Sequence, residues 1–544
     1  MCGIWALLNH TALSAAERAA LLKQLEARGP EYTAIEDLSG ARITLGFTRL
    51  AINGLTPAGH QPFAANGVRV ICNGELYNYK ELSTRWSIPL AEGTSDCAIL
   101  PALARALSPT ELCRALDGVF AFVLVDEFAG EVLVARDPYG VRPLFQATLV
   151  GPDGRNATLW SSELKGLPKD ARDVHPFPPG SWRRYSTTTG DLLETQVYHV
   201  VPHVQLDAFR DRDLAKEALR QSLVTAVQKR LLSDRPIGAL LSGGLDSSLI
   251  AAIAARELAR HGQKLHTFSI GMPGSTDLRY AQQVANHIGS IHHNVVVTPE
   301  DFLAAIPQVV HDIESYDITS VRASVGNWLI GKYIKANTDI KVVFNGDGSD
   351  EVGGGYLYFY AAPSDEAFEA ESERLLREIH LFDVLRSDRC MAAHGLEART
   401  PFLDKSVVAT WRSIPTLHRR PAAEVQMEKQ VLREAFLADK YLPHDVLWRK
   451  KEAFSDGVSA THDSWYIRCS EYAKKQGVTN ETIAAEYLGA HNPPKTAEAY
   501  WYRQLFEVQY GKQVATVIPH MWMPRWIAGA SDPSARSLKS LYSV

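Results

Sequence analysis

Pro236-Ile-Gly-Ala-Leu-Leu-Ser-Gly-Gly-Leu-Asp-Ser-Ser248 decides how the second half of this chain folds. Its first six residues make a short apolar strand. Ser242-Gly243-Gly244 is a turn of small residues, and an Ala-rich helical run follows to about residue 261. Working outward, His266-Thr-Phe-Ser-Ile270 reads as a second strand, 278–288 as a helix, 293–297 as a third strand and Lys341-Val-Val-Phe344 as a later one. Strands alternating with helices imply a parallel α/β sheet. Residues 213–233 read as an amphipathic helix, and the chain beyond 365 reads as mostly helical. Within that part, 364–378 has the charge pairing of an exposed helix.

The turn at 242–244 has a chemical reading. Small residues let the backbone approach an anion, and a following helix offers unpaired N–H groups and a positive dipole end. The chain contains no GxxxxGK[ST] loop, and this turn is not a GxGxxG fingerprint. Asp246 would repel a bare phosphate, and Mg²⁺ reconciles the two because it binds carboxylates and phosphate oxygens together. Asn345-Gly-Asp-Gly-Ser-Asp-Glu351 is a second acidic loop, placed after the strand 341–344. Loops after parallel strands gather at one sheet edge, so Asp350 is expected beside Asp246 as a metal-binding pair. Lys451 supplies a cation from further along. A glycine turn capped by Ser242 or Ser247 is the plain alternative for the first loop alone.

The first two hundred residues differ. Short apolar runs at 43–48, 68–72, 119–125, 131–135 and 158–161 are separated by Asn66-Gly67, Asp117-Gly118, Pro138-Tyr-Gly140 and Asp153-Gly154. These read as β-strands and turns. Helical patterns cover about 14–28 and 95–107, and 175–191 is rich in Pro, Gly, Ser and Thr. The change of character lies within 200–213. Cys2 stands behind Met1 and before Gly3. Removal of Met1 would give Cys2 a free α-amine, whose pKa of about 7.7–8.0 lets it act as a base toward its own thiol.

The chain has 544 residues with 46% hydrophobic and 22% charged content, which excludes a mostly disordered protein. A net charge of −5 leaves no global basic surface for nucleic acid. Apolar runs stay below the ~20 residues of a membrane span, and MCGIWALLNH has neither the basic start nor the long apolar stretch of a signal peptide. Six scattered cysteines make no disulfide scaffold. These features predict a cytoplasmic protein with small-molecule substrates, no nucleic-acid partner and no membrane association. A homodimer is one arrangement the sequence allows. His287, His292 and His293 lack metal-ligand spacing, and the aromatics at 356–360 and 522–526 read as core or lid.

Arg28-Gly-Pro30, Arg49-Leu-Ala-Ile-Asn53, Asn73-Gly-Glu-Leu-Tyr-Asn78, Thr94-Ser-Asp96 and Arg136-Asp-Pro-Tyr-Gly-Val-Arg-Pro-Leu-Phe145 occur in order. Over about 2–200 this set resembles the glutaminase domain of the class II glutamine amidotransferases, which implies an N-terminal-nucleophile hydrolase sandwich (αββα). The resemblance implies Cys2 as nucleophile and Asn73 with Gly74 as oxyanion donors. It implies Arg49, Leu50, Ala51, Ile52, Asn53, Glu75 and Asp96 as glutamine-binding residues, with Arg49 suited to the carboxylate and the two acids to the ammonium. Arg136–Phe145 is expected to be architectural.

Over about 213–530 the two Gly-containing loops resemble the ATP-pyrophosphatase domain of asparagine synthetases, together with Tyr316-Asp-Ile-Thr-Ser-Val-Arg-Ala-Ser324, His394-Gly-Leu-Glu-Ala-Arg-Thr-Pro-Phe-Leu-Asp404, Trp448–Gly457, Trp522–Trp526 and Asp532–Arg536. That implies domains at 1–204 and 205–544, the second a parallel-sheet α/β unit with a helical C-terminal part. The implied chemistry is ATP-dependent conversion of aspartate to asparagine through an aspartyl-adenylate, with ammonia from glutamine and Mg²⁺ accompanying ATP. Implied ATP and pyrophosphate contacts are Leu241, Ser242, Gly243, Gly244, Asp246, Ser247, Ile270, Asn345, Gly346 and Lys451; implied aspartate contacts are Thr319 and Arg322. The family usually has Ser-Gly-Glu where this chain has Asn345-Gly-Asp347. Asp347, the expected catalytic carboxylate, keeps the charge but loses a methylene of reach, and about 1 Å of misplacement can lower a rate ~100-fold. Ser320 also stands where Thr is common. A β-lactam synthetase and a non-catalytic sensor are the rivals; the first has no use for Cys2, Arg49, Asn73 and Asp96.

Overall fold

The computed structural model describes residues 1–152, 154–530 and 532–536. Twelve strands precede residue 200: β1 (Gly3–Leu8), β2 (Tyr32–Leu38), β3 (Ile43–Arg49), β4 (Phe63–Ala65), β5 (Val68–Leu76), β6 (Gly118–Asp126), β7 (Glu131–Arg136), β8 (Phe145–Val150), β9 (Asn156–Ser161), β10 (Arg172–Pro176), β11 (Ser181–Ser186) and β12 (Leu192–Val197). They form two six-stranded antiparallel sheets, in the orders β10-β8-β9-β1-β3-β2 and β12-β11-β7-β6-β5-β4. β1 is buried along its whole length. Its alternate side chains therefore serve two cores. Ile4, Ala6 and Leu8 meet Ile71, Val123 and Val134 of the second sheet. Trp5 and Leu7 face the other way, against Leu22 and Leu25. The outer face of the second sheet packs under the helices 100–106 and 109–115.

Five strands make the third sheet: β13 (Ile237–Leu240), β14 (His266–Gly271), β15 (Ile291–Val296), β16 (Val342–Phe344) and β17 (Glu397–Arg399). All pairs are parallel, and the order is β15-β14-β13-β16-β17. The chain runs outward from β13 to β15 and returns to β16 on β13's other side. This reversal makes a switch point between β13 and β16, where loops from both strands open into one crevice.

Several expectations need correcting. The helix expected over 14–28 spans Ala15–Lys23, with a capping box from Ser14 and Glu17. The pattern at 95–107 divides into a 3₁₀ turn, Asp96–Ile99, and a helix, Leu100–Ala106, because Pro101 suits only a first turn. The Pro- and Gly-rich stretch 175–191 contains β11, and β12 is exposed throughout, so neither shows apolar alternation. The helix Asp365–Glu378 is not simply exposed: Glu369 and Glu371 are buried, the first between Arg412 and Arg419, the second under Tyr358 and Arg374. Asp153 of the Asp153-Gly154 turn lies outside the described residues. Among the described residues no helix is long and apolar enough to cross a membrane.

The two halves share one core. Trp5, Phe145 and Leu159 belong to the same buried cluster as Ile313, Tyr316 and Tyr510. Buried charges also cross between them. Arg28 pairs with Glu163 and Asp388 at 2.7 and 2.8 Å, and Arg142 with Glu397 at 3.0 Å.

Candidate functional site

Cys2 sits at the head of β1, and its thiol faces the Leu50 carbonyl at 3.7 Å. Arg28 Nε holds the Cys2 carbonyl at 2.9 Å. Gly29 allows this, because a Cβ there would lie 2.3 Å from the Thr48 carbonyl carbon. Burial pushes the thiol up to about 11 in the chain as it stands, with Met1 attached. Met1 is itself buried, and its amine is brought down to about 6 by desolvation, opposed by Glu397.

β3 ends at Arg49, whose guanidinium is ringed by the carbonyls of Thr56 (2.9 Å), Gly54 and Asn53 in the loop that follows. It forms no ion pair with a carboxylate among the described residues, so backbone carbonyls alone face its charge there. Ala51, Ile52 and Gly54 are clamped from the second half: Arg235 Nε donates to the Ala51 carbonyl at 2.9 Å, Asp234 N–H to the Ile52 carbonyl at 3.0 Å, and Gly54 N–H to Asp234 Oδ2 at 2.8 Å.

β5 supplies Asn73, Gly74 and Glu75. Asn73 is 1% exposed, and its Nδ2 has no hydrogen-bond partner. A buried unpaired donor costs about 1–3 kcal/mol, and such exceptions need an explanation. Asn53 Nδ2 donates to Glu75 Oε2 at 2.5 Å, which joins the Arg49 loop to β5. Burial, Glu397 and Asp96 hold the Glu75 carboxyl well above the usual range, against Arg399. Asp96 accepts from Leu76 N–H at 2.6 Å and is also raised by burial. Arg136–Phe145 is a scaffold: Arg136 donates to the carbonyls of Arg142, Phe177 and Gly140, and Asp137 accepts four backbone N–H groups.

The second group lies at the switch point, around a cavity of about 190 Å³ that includes Leu241, Ser242, Ser247, Ile270, Gly346 and Lys451 in its wall. Gly243 has φ +73°, and a Cβ there would lie 2.4 Å from the Ala281 amide nitrogen. Gly346 is equally constrained: a Cβ would lie 2.6 Å from Ser247 N, so only glycine lets the two loops touch. Ser242 and Ser247 hydroxyls meet at 3.0 Å. The helix Leu245–Ala259 starts without a side-chain cap, leaving its dipole end toward the cavity.

Asp246 and Asp350 converge as expected, but lysines stand between them. Lys429 Nζ is 2.7 Å from both Asp246 oxygens and 2.6 Å from Asp350 Oδ1, and Lys451 Nζ is 2.5 Å from Asp350 Oδ2. Burial would raise Asp350, yet the two ammonium groups hold it well below the usual range. Among the described residues no cluster of three or more His, Cys, Asp or Glu is arranged for a metal. The two carboxylates still fit Mg²⁺, since one ammonium already bridges them and Mg²⁺ commonly uses one or two carboxylates with phosphate oxygens completing its sphere. Lys429 was missed in the sequence. It is 1% exposed, has φ +54° and follows no spacing rule.

Asn345 and Asp347, both unusual for the resembled family, touch each other. Asn345 Nδ2 donates to Asp347 Oδ2 at 2.8 Å and to Ser387 Oγ at 2.5 Å; Arg386 Nη2 donates to Asp347 Oδ1 at 2.8 Å. Burial, with help from Asp383, pushes the Asp347 carboxyl up to about 6 against the pull of Arg386. Thr319 Oγ1 is buried without a partner and lines the cavity. Arg322, the other expected aspartate contact, already carries two carboxylates. It is paired to Glu498 at 2.8 and 2.6 Å and to Asp532 at 2.9 and 2.8 Å. His292 and His293 form side-chain contacts on β14–β15 and are not in the cavity wall themselves.

The two groups touch through β17. Arg399 Nη2 is 3.3 Å from Glu75 Oε2, and Asn345 N–H bonds the Arg399 carbonyl at 3.0 Å. Glu397-Ala-Arg399 was not legible as a strand, because three buried residues with two charges show no apolar pattern.

Comparison with known proteins follows the same division. The family model described as asparagine synthase matches residues 218–371 and 361–523, and that described as glutamine amidotransferase domain matches 1–199. The chain is 42% identical to the glutamine-hydrolysing asparagine synthetase of Cricetulus griseus over 99% of its length and 98% of that protein. It is 42% identical to the Homo sapiens protein of the same name over the same shares, and 40% identical to that of Gallus gallus over 100% of both chains. Among solved structures, a glutamine phosphoribosylpyrophosphate amidotransferase from B. subtilis aligns with 54% of this chain and 81% of its own at 16% identity, with a TM-score of 0.31.

Proposed function

The chain belongs to the glutamine-hydrolysing asparagine synthetases, and from that membership we propose how its two groups of residues divide the reaction. The protein is an ATP-dependent ligase that makes asparagine from aspartate with glutamine as nitrogen donor. The proposed units are 1–204 for glutamine hydrolysis and 205–544 for synthesis.

In the first unit, Met1 is removed and the Cys2 amine becomes the base. It takes the thiol proton as sulfur bonds to the glutamine amide carbon. The oxyanion is received by Asn73 Nδ2 and Gly74 N–H. The carbon–nitrogen bond breaks, the amine returns the proton to departing ammonia, and water cleaves the thioester to glutamate. Arg49 takes the substrate carboxylate. Glu75 and Asp96 take its ammonium, which draws both acids into their charged forms.

In the second unit, an oxygen of the aspartate β-carboxylate attacks the α-phosphorus of ATP, forming the aspartyl-adenylate and releasing pyrophosphate. Leu241 and Ile270 bound the nucleotide. The Ser242–Gly244 turn, Ser247 and Lys451 hold the pyrophosphate. Mg²⁺ bound with ATP would be held by Asp246 and Asp350 and would neutralise phosphate charge. Thr319 and Arg322 face aspartate. Ammonia attacks the activated carbon, Asp347 as carboxylate takes the proton, and AMP leaves. Ammonia released into bulk water would be protonated, so its transfer calls for a sheltered route between the units. Six free cysteines and no disulfide among the described residues support a reducing, cytoplasmic location.

The observation that carries this reading is the separate assembly of the two expected sets, one at the start of β1 and the end of β5, the other at the β13–β16 switch point. The test supplies aspartate, ATP and Mg²⁺ with either glutamine or ammonium. Wild-type protein makes asparagine, AMP and pyrophosphate from both. Cys2→Ala keeps the ammonium reaction and loses the glutamine one; loss of both in folded protein sinks the division of labour.

A further inference from the structure

The pairing of Arg322 is chemically surplus. One guanidinium carries two carboxylates, each through two hydrogen bonds. The two are unequal. Glu498 belongs to the helix Ala497–Tyr510, is 3% exposed and is tied down further by the Tyr502 hydroxyl at 2.8 Å. Asp532 arrives on the C-terminal segment, and its side chain is 26% exposed. A side cavity of about 70 Å³ lies here, walled by Arg322, Thr319, Trp522, Pro533 and Ser534. Thr319 and Trp522 also wall the main cavity, so the two spaces adjoin. The segment bearing Asp532 has anchors besides that side chain: Ser534 Oγ donates to Asp456 at 2.8 Å, and the Arg536 guanidinium is buried against Glu452, Ser459, Ala460 and Ser464.

We propose that Asp532 is an internal competitor at the aspartate subsite: its carboxylate occupies Arg322 and yields that place to the α-carboxylate of substrate. The chemistry of exchange is matched, since one carboxylate replaces another on the same fork of donors. Glu498 remains, and the anchors at Ser534 and Arg536 keep the segment in place while Asp532 turns outward. The internal carboxylate thus sets a threshold. A ligand whose site is open for only a fraction of the time binds with an affinity reduced by that fraction. This inference rests on the assignment of Thr319 and Arg322 to aspartate.

Asp532→Asn is the sharp test. Asparagine keeps the Oδ1 acceptor that receives Ser534 N–H at 2.8 Å, so the local turn survives while the charge is lost. With ammonium as nitrogen source, KM for aspartate falls about tenfold, as for a site closed nine-tenths of the time, and kcat stays within about twofold. Inhibition by product asparagine, which has the same α-carboxylate but no β-carboxylate, tightens in parallel. KM for ATP and the rate of glutamine hydrolysis stay unchanged. An unchanged KM for aspartate overturns the exchange. A raised KM overturns it too and shows Asp532 reading the substrate's ammonium instead. Asp532→Ala must repeat the direction of the change. If wild-type protein makes no asparagine from aspartate, ATP and ammonium, the functional reading fails before any variant is measured; a working wild type with an unaltered variant removes only the exchange.

Discussion

Asn73→Ala separates catalysis from stability at one residue. The Asn73 amide is buried and its Nδ2 has no partner. In the resting protein this donor is a liability of about 1–3 kcal/mol. Truncation removes the liability while losing some packing, so the two effects oppose each other and the melting temperature should move by only a few degrees. The transition state is different. In the proposed mechanism Nδ2 meets a developing oxyanion, and one such donor is worth ~2.7–4 kcal/mol, or about 100- to 1,000-fold in kcat. Glutamate release from glutamine should fall by that factor, with Gly74 N–H supplying what remains. Asparagine synthesis from ammonium should be untouched, because Asn73 has no contact with the β13–β16 crevice. A fall of less than tenfold in folded protein would mark Asn73 as an ordinary hydrogen-bonding residue, whose net worth is ~0.5–1.5 kcal/mol. An equal fall in the ammonium reaction would refute the separation of sites.

Lys429→Met removes the ammonium that hydrogen-bonds both Asp246 and Asp350 and leaves only Lys451 beside them, and breaking a buried pair of this kind costs about 3 kcal/mol or more; the melting temperature should drop, and Mg²⁺ should restore the variant more than it shifts wild type. Equal Mg²⁺ shifts would show that no cation site lies between these carboxylates. Asp347 is raised from the ordinary 3.8 to about 6 by burial and Asp383. It binds its proton more tightly folded than unfolded, so its contribution to stability is complete below about pH 4 and is lost as pH rises through 6. Its catalytic carboxylate form grows over the same interval. Ammonium-dependent synthesis at a fixed concentration of free ammonia should rise through pH 6, and Asp347→Asn should lower the rate and flatten that limb; a limb that persists in the variant belongs to another group.

The residues explain which parts could be read early. Gly118–Asp126 was legible because its buried strand carries an unbroken apolar run, Val119–Val125, and Ile43–Arg49 because Ile43, Leu45 and Phe47 recur at every second position. The loops at 242–247 and 345–350 were legible because glycine and carboxylate beside a strand end restrict the chemistry. Glu397–Arg399 was not: its charges are buried by partners far away, Arg142 for Glu397 and Glu75 for Arg399. Leu192–Val197 was hidden for the opposite reason, since an exposed edge strand has no buried face to pattern.

The sequence by itself determined the alternating strands and helices of the second half, the place of Cys2 behind Met1 and the glycine-containing loops proposed to hold glutamine, nucleotide and pyrophosphate. These are local matters, set by small residues, side-chain period and chain order. Tertiary structure decided which charges meet. Lys429 reaches Asp246 across 183 residues, and Arg322 meets Asp532 across 210. Glu75 and Asn345 come within reach of one strand only because β17 adds to β16. Such pairings depend on sheet order and on two halves sharing a core, and no spacing along the chain encodes them.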